Sequence, residues 1–179
     1  ALSSAASDVY KRQEMLRERG ARISYGEDLA GMIWQERPEL SAEHAWVLDE
    51  RYAGKSALEK IADVREAMKK AHASVHVLTS LDDIAWLLNI RGNDILYNPV
   101  VLSYALLTMD QLYLFVNSSV LVGKAYPYLE DAEDISVREY LERMGVTVMP
   151  YDGVYDMVEE LKGEKVLLEK CRVNYAVYR

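Results

Sequence analysis

The residues whose types and spacing most suggest chemistry in this chain lie in one stretch, LDDIAWLLNIRGNDILYNPV, from Leu81 to Val100. An apolar run containing Trp86 leads into a polar turn, Asn89-Ile90-Arg91-Gly92-Asn93-Asp94. The turn leaves through Tyr97-Asn98-Pro99 toward a second apolar run. Polar loops directly after an apolar element are where α/β proteins tend to place functional groups. Arg91 and Asp94 can serve in two ways: as an internal ion pair that holds the loop, or with the guanidinium presented to a carboxylate. The internal, structural role is the expected one. Trp86, with Ala85 before it and Leu87-Leu88 after it, reads as a core residue. Asp82-Asp83 has the composition of a catalytic carboxylate pair, but at a helix start it reads as a cap and an acid that suits the helix dipole.

Other chemistries find little support. Metal binding needs converging His, Cys, Asp or Glu. His72 and His76 are four apart, but a helix is expected to end between them, and His44 is remote. There is no HExxH spacing, no G-x-S-x-G elbow around Ser118-Ser119, and no glycine-rich phosphate loop. Cys171, the single cysteine, has no nearby histidine and reads as a bystander thiol. Thirteen tyrosines against one phenylalanine are unusual, yet their scatter suggests core positions with a polar tip.

A net charge of −8 argues against nucleic-acid binding, which requires clustered Lys and Arg. No apolar run is long enough to span a bilayer, so no membrane partner is expected. One cysteine allows no internal disulfide framework and fits a reducing, cytoplasmic setting. Residues 1–13 are small and polar and differ in character from the rest of the chain; they are expected to be a foreign or disordered leader. Residues 14–42 are expected to form the tail of a preceding domain and a linker, with residues 39–43 the linker itself. Residues 43–179 are expected to form an α/β domain cut short at its C-terminal end.

The elements that must position the motif are set by periodicity and capping. Residues 14–19 end a helix at Gly20, residues 22–25 form a strand, and residues 27–36 form a helix with Leu29, Met32 and Ile33 on one face. A strand is expected over 45–48 and a turn over 49–54. Ser56 and Glu59 make a capping box for a helix over 56–71, with Ile61, Val64, Met68 and Ala71 on its apolar face. A strand over 75–79 precedes a short helix over 83–88, for which Ser80 and Asp83 repeat the cap pattern. Strands over 100–107 and 112–116 flank Met109-Asp110-Gln111 as a hairpin. Next come helix 137–144, strand 146–149, helix 154–161 and strand 165–168, and residues 173–179 read as strand-like. Strands alternating with helices, plus one hairpin, give an α/β fold with a mixed β-sheet flanked by helices.

The run DDIAWLLNIRGNDILYNPVVLSYALL, Asp82 to Leu107, resembles the middle domain of Xaa-Pro aminopeptidases of the creatinase/prolidase-type metallopeptidases. Asp28-Leu29 and Ile33-Trp34 through Arg37-Pro38, then Tyr52-Ala53-Gly54, and finally Val173-Asn174-Tyr175-Ala176 resemble flanking segments of the same family. The resemblance implies two related α/β domains followed by a catalytic domain, in which two Asp, one His and two Glu hold two divalent metal ions, commonly manganese. Paired metals polarise the scissile carbonyl and lower the pKa of a bridging water. It further implies removal of the residue before proline from peptides with proline at the second position, and a homodimer. None of those ligands maps onto this chain, so no catalytic residue, metal or cofactor is assigned to it. The resemblance makes Trp86, Asn89, Arg91, Asp94 and Asn98 candidates for a substrate-access or interdomain loop. Two alternatives stand beside it: a separate α/β binding or assembly module without peptidase activity, and an unrelated α/β small-molecule enzyme.

Overall fold

The computed structural model describes residues 15–21, 29–170 and 172–178. The expected leader, the expected strand over 22–25 and Cys171 lie outside the described residues. A five-stranded mixed sheet runs through the molecule in the order β6-β5-β4-β2-β7. Its strands are β2 (Val75–Leu78), β4 (Ser103–Thr108), β5 (Leu112–Val116), β6 (Val146–Met149) and β7 (Val166–Leu168). The hairpin β4–β5 and the pair β2–β4 are antiparallel, while β6 and β7 join the two sides in parallel. A separate antiparallel ribbon pairs β1 (Trp46–Val47) with β3 (Ile90–Arg91), Trp46 opposite Arg91 and Val47 opposite Ile90.

The helical segments that accompany the strands are α1 (Leu29–Ile33), α2 (Glu50–Ala53), α3 (Ala57–Lys70), α4 (Leu81–Leu88), α5 (Val137–Arg143), α6 (Gly153–Glu159) and α7 (Tyr175–Tyr178). Successive strand side chains point to opposite faces, and both faces are apolar. Ala105 and Leu107 of β4 with Leu112, Leu114 and Val116 of β5 pack on the face covered by α3, α4 and α5. Leu106 and Phe115 point the other way, toward Val154 of α6 and Val177 of α7. The alternation fixes the register, because a one-residue slip would exchange the two cores.

Helix α3 begins as its sequence predicts. Glu59 N–H donates to the Ser56 hydroxyl and Ser56 N–H donates to the Glu59 carboxylate, and Ile61 and Met68 are buried. Several expectations require correction. Helix α1 stops at Ile33 rather than 36, and Leu29, Met32 and Ile33 are exposed. The turn expected over 49–54 is a single helical turn, capped by Asp49 and closed by Gly54 at φ 74°. Helix α4 starts at Leu81, not Asp83, and Ser80 makes no side-chain cap. Strand β4 starts at Ser103, three residues later than expected, because the Asp94 carboxylate takes the Leu102 N–H. The strand-like ending is helical from Tyr175 to Tyr178, with Val177 N–H donating to the Asn174 side chain.

Candidate functional site

The motif is built around the C-terminal end of α4. A helix leaves its last four carbonyls without intrahelical partners. Here three of the four are taken by side chains from three different parts of the chain. Arg91 Nη1 donates to Ala85 O at 2.6 Å, Lys60 Nζ to Trp86 O at 3.0 Å, and Tyr140 Oη to Leu88 O at 3.1 Å. Two of these donors carry positive charge, which suits the negative end of the helix dipole. Asn89 ends the helix in the left-handed region at φ 56°, a conformation that asparagine tolerates better than most residues.

Asn89 is buried and fully engaged. Its Oδ1 accepts from Lys60 Nζ at 2.6 Å and its Nδ2 donates to Lys55 O at 3.0 Å. Its backbone carbonyl accepts from Leu48 N–H at 2.7 Å. Lys60 is only 2% exposed, and its ammonium lies 5.0 Å from the centre of the Trp86 ring. Burial, the neighbouring Arg91 and Lys55 push its pKa below the ordinary lysine value. Burial also lowers the pKa of Arg91. Among the described residues neither cation has a carboxylate partner; carbonyls, an amide and an aromatic face hold them instead.

Arg91 and Asp94 therefore do not form the ion pair that their spacing allows. Arg91 turns back onto Ala85 and Ile90, whereas Asp94 faces the other way and accepts from Leu102 N–H at 2.7 Å through Oδ2. Its Oδ1 is the one buried side-chain polar atom, among the described residues, with no hydrogen-bond partner. Gly92 makes this crossing possible: a Cβ there would lie 2.7 Å from Val101 Cγ2 and 3.1 Å from Val100 O.

Beyond Asp94 the chain folds into a tight exposed turn. Asn98 N–H donates to Ile95 O at 3.1 Å, and Tyr97 takes φ 66° with its side chain 97% exposed. Asn98 Nδ2 reaches Asp82 Oδ1 at 3.5 Å, so the turn sits beside the start of α4. Trp86, one helical turn after Asp82, is 48% exposed and is not the core residue that its neighbours suggested. The apolar positions Ile84, Ala85, Leu87 and Leu88 fill the inner face and leave Trp86 outside.

The structure thus divides the five candidates. Trp86, Asn89 and Arg91 meet at the end of α4, and Asn98 lies at its start. Asp94 serves the entry to β4. Sequence reasoning missed Lys60 and Tyr140. A signal for Lys60 existed: it lies three residues after Ala57 and four before Val64, on the stripe that α3 buries. Helix α3 ends at Lys70, before His72 rather than between His72 and His76, and His76 lies on β2, where it shares a hydrogen bond with Leu167 O at 3.1 Å. Among the described residues no group of three or more His, Cys, Asp or Glu side chains converges as metal ligands. No helix among them is long and apolar enough to cross a membrane.

The structure is a mixed α/β sheet with helices on both faces, carrying a capped helix and a projecting turn. The profile of the Creatinase/Prolidase N-terminal domain family matches residues 36–179, and the chain belongs to that family. Among curated relatives, a probable Xaa-Pro aminopeptidase P of Laccaria bicolor is 38% identical over 159 residues, covering 88% of this chain and 23% of the relative. Xaa-Pro aminopeptidase 1 of Dictyostelium discoideum is 31% identical over 175 residues, covering 92% of this chain and 26% of the relative. The solved X-prolyl aminopeptidase of Caenorhabditis elegans, described as a cytosolic enzyme with a di-nuclear active site, superposes with a TM-score of 0.81. It is 30% identical, over 96% of this chain and 28% of that one. The chain therefore spans about a quarter of the length of the relatives it matches. The described residues do not fit a paired-metal ligand set, and no step of metal chemistry is assigned to them.

Proposed function

We propose that this chain is a non-catalytic domain of a dimetal Xaa-Pro aminopeptidase, in which it shapes access to the active site and supports assembly. On this reading a C-terminal catalytic domain of the same polypeptide holds two divalent metal ions, commonly manganese. The substrate is a peptide with proline at its second position, and the enzyme works as a homodimer in the cytosol. Residues 14–42 then belong to the end of a preceding domain and a linker, and residues 43–179 to the middle domain.

The observation that carries the reading is the placement of Trp86 and the 95–98 turn. Trp86 and residues 95–97 are exposed; Trp86 sits at the end of α4 that Lys60, Arg91 and Tyr140 fix, and the turn lies beside the start of the same helix. Rigid support beneath an exposed aromatic surface suits a contact with another domain or with substrate. Asn89 and Arg91 act as positioning residues. The test compares Trp86→Ala and Arg91→Ala in the complete enzyme. A contact role lowers kcat/KM for a peptide with proline second, or weakens the dimer, in the tryptophan variant without a fall in Tm. Unchanged kinetics and assembly in both, with lowered Tm in the arginine variant, would make the motif scaffold alone.

A further inference from the structure

A cavity of about 320 Å³ opens between the start of α4, the end of β2 and the start of β4. One wall carries Arg172, whose Nη1 donates to the buried Ser80 hydroxyl at 3.0 Å while Nε faces Glu169 at 3.1 Å. Ser80 thereby fixes the guanidinium and leaves further N–H groups of its fork to act as donors. Two residues after Ser80, Asp82 lines the same cavity, its carboxylate touched by the Asn98 amide. The aromatic part of the lining is a pair of tyrosines, Tyr104 and Tyr151, with ring centres 5.2 Å apart. Asn174 Nδ2 donates to the Tyr104 hydroxyl at 3.1 Å and steadies that ring.

The charges on these walls select a ligand. A simple anion would meet Arg172 but also Asp82, and the chain as a whole carries a net charge of −8. A simple cation would meet Asp82 but also Arg172. A molecule bearing an ammonium and a carboxylate on one carbon satisfies both walls at once, and the tyrosine pair takes its apolar remainder. Asp94 strengthens the asymmetry. It bonds the backbone of Leu102, which lines the cavity, and its unpartnered Oδ1 is sealed from solvent. The volume lies at the small end of the ligand-pocket range, suited to a single amino acid rather than a long peptide.

We propose that this cavity binds a small zwitterion of the α-amino-acid class, Arg172 taking the carboxylate and Asp82 the ammonium. The site stands apart from the peptidase reading: it consists of residues of this chain alone and can be measured on the chain alone.

The 179-residue chain is titrated with L-proline and L-leucine, with binding followed by calorimetry and by tyrosine resonances. Pyrrolidine and cyclopentanecarboxylate serve as single-charge counterparts of proline. The expected result is saturable binding of at least one amino acid, about tenfold or more tighter than that of either single-charge probe. Arg172→Gln and Asp82→Asn should each weaken it by about tenfold, since each removes one charge-assisted contact. Because Arg172 also bonds the buried Ser80 hydroxyl, the circular dichroism melt of each variant is recorded beside its titration, so that loss of binding is read only from folded protein. Equal binding of zwitterion and single-charge probes would overturn the proposal. So would an effect in only one of the two variants, or no saturable binding of either amino acid up to about 10 mM.

Discussion

Lys60 donates to Asn89 Oδ1 at 2.6 Å across 29 residues of sequence, and this bond joins helix α3 to the end of helix α4. The same ammonium bonds Trp86 O and underlies the Trp86 ring. Replacing Lys60 by Met keeps much of the volume but leaves two acceptors at a buried site without their donor. Relief of the buried charge works in the opposite direction, yet the ammonium is already compensated by two hydrogen bonds and an aromatic face. Lys60→Met should therefore destabilise the chain by about 1–3 kcal/mol, measured by urea unfolding. Equal or greater stability than wild type would show that burial of the charge outweighs its bonds.

Gly92 offers a sharper steric test. A methyl group there meets Val101 Cγ2 and Val100 O at 2.7 and 3.1 Å, and neither is the far end of a flexible side chain. Gly92→Ala should cost about 1–3 kcal/mol through forced movement of the β4 entry. Because Asp94 bonds Leu102 N–H in the same crossing, amide exchange at Leu102 should accelerate in this variant. Exchange and Tm both unchanged would mean that the crossing is looser than its distances indicate.

These two joints mark the boundary of what the sequence reveals. The capping box of α3, the β4–β5 hairpin and the alternating β-α order depend on local patterns, and each is legible residue by residue. Lys60 and Tyr140 escape because their partners lie 29 and 52 residues away, and lysine on a helix normally reads as solvated. Trp86 misleads for the opposite reason: its sequence neighbours are buried, but the helical period turns it outward. Ile90-Arg91 looked like part of a polar turn because a two-residue strand has no periodicity to detect, and only its partner Trp46-Val47 defines it. The helical turn Tyr175–Tyr178 could not be told from a strand, since a short apolar run fits either period.

Alkaline pH should weaken the fold through its half-buried tyrosines. Burial raises Tyr104, Tyr140 and Tyr151 above the usual 10.0 and Tyr155 to about 12. Above pH 10 the unfolded chain releases these protons while the native state keeps them, so stability falls as pH rises, by at most about 1.4 kcal/mol per pH unit for each group. Lys60 works against this trend: its native pKa lies below 10.5, so its contribution rises with pH until both states are neutral. Four tyrosines outnumber one lysine, and the net slope above pH 10 should be negative. Tyr140→Phe should lose about 1 kcal/mol at pH 7 with its bond to Leu88 O. Urea midpoints of this variant should then decline less steeply between pH 10 and 11 than those of the wild type. Parallel declines would show that Tyr140 ionises as freely as a solvent-exposed tyrosine.

The exposed turn allows stability and contact to be separated at one residue. Tyr97 holds φ 66° with almost no burial of its ring, so the chain accepts backbone strain there without packing in return. Glycine adopts this conformation without a Cβ clash but adds freedom to the unfolded chain, and the two effects are of similar size. Tyr97→Gly should therefore leave the stability of this chain within about 1 kcal/mol of wild type. If the turn meets another domain or a second subunit, the same substitution in the complete enzyme should lower kcat/KM or dimer affinity about tenfold, the effect of losing one interface aromatic. Loss of stability in the isolated chain would point to packing around Tyr97 instead. Unchanged kinetics and assembly in the complete enzyme would remove the turn from any interface and leave Trp86 as the surface to test.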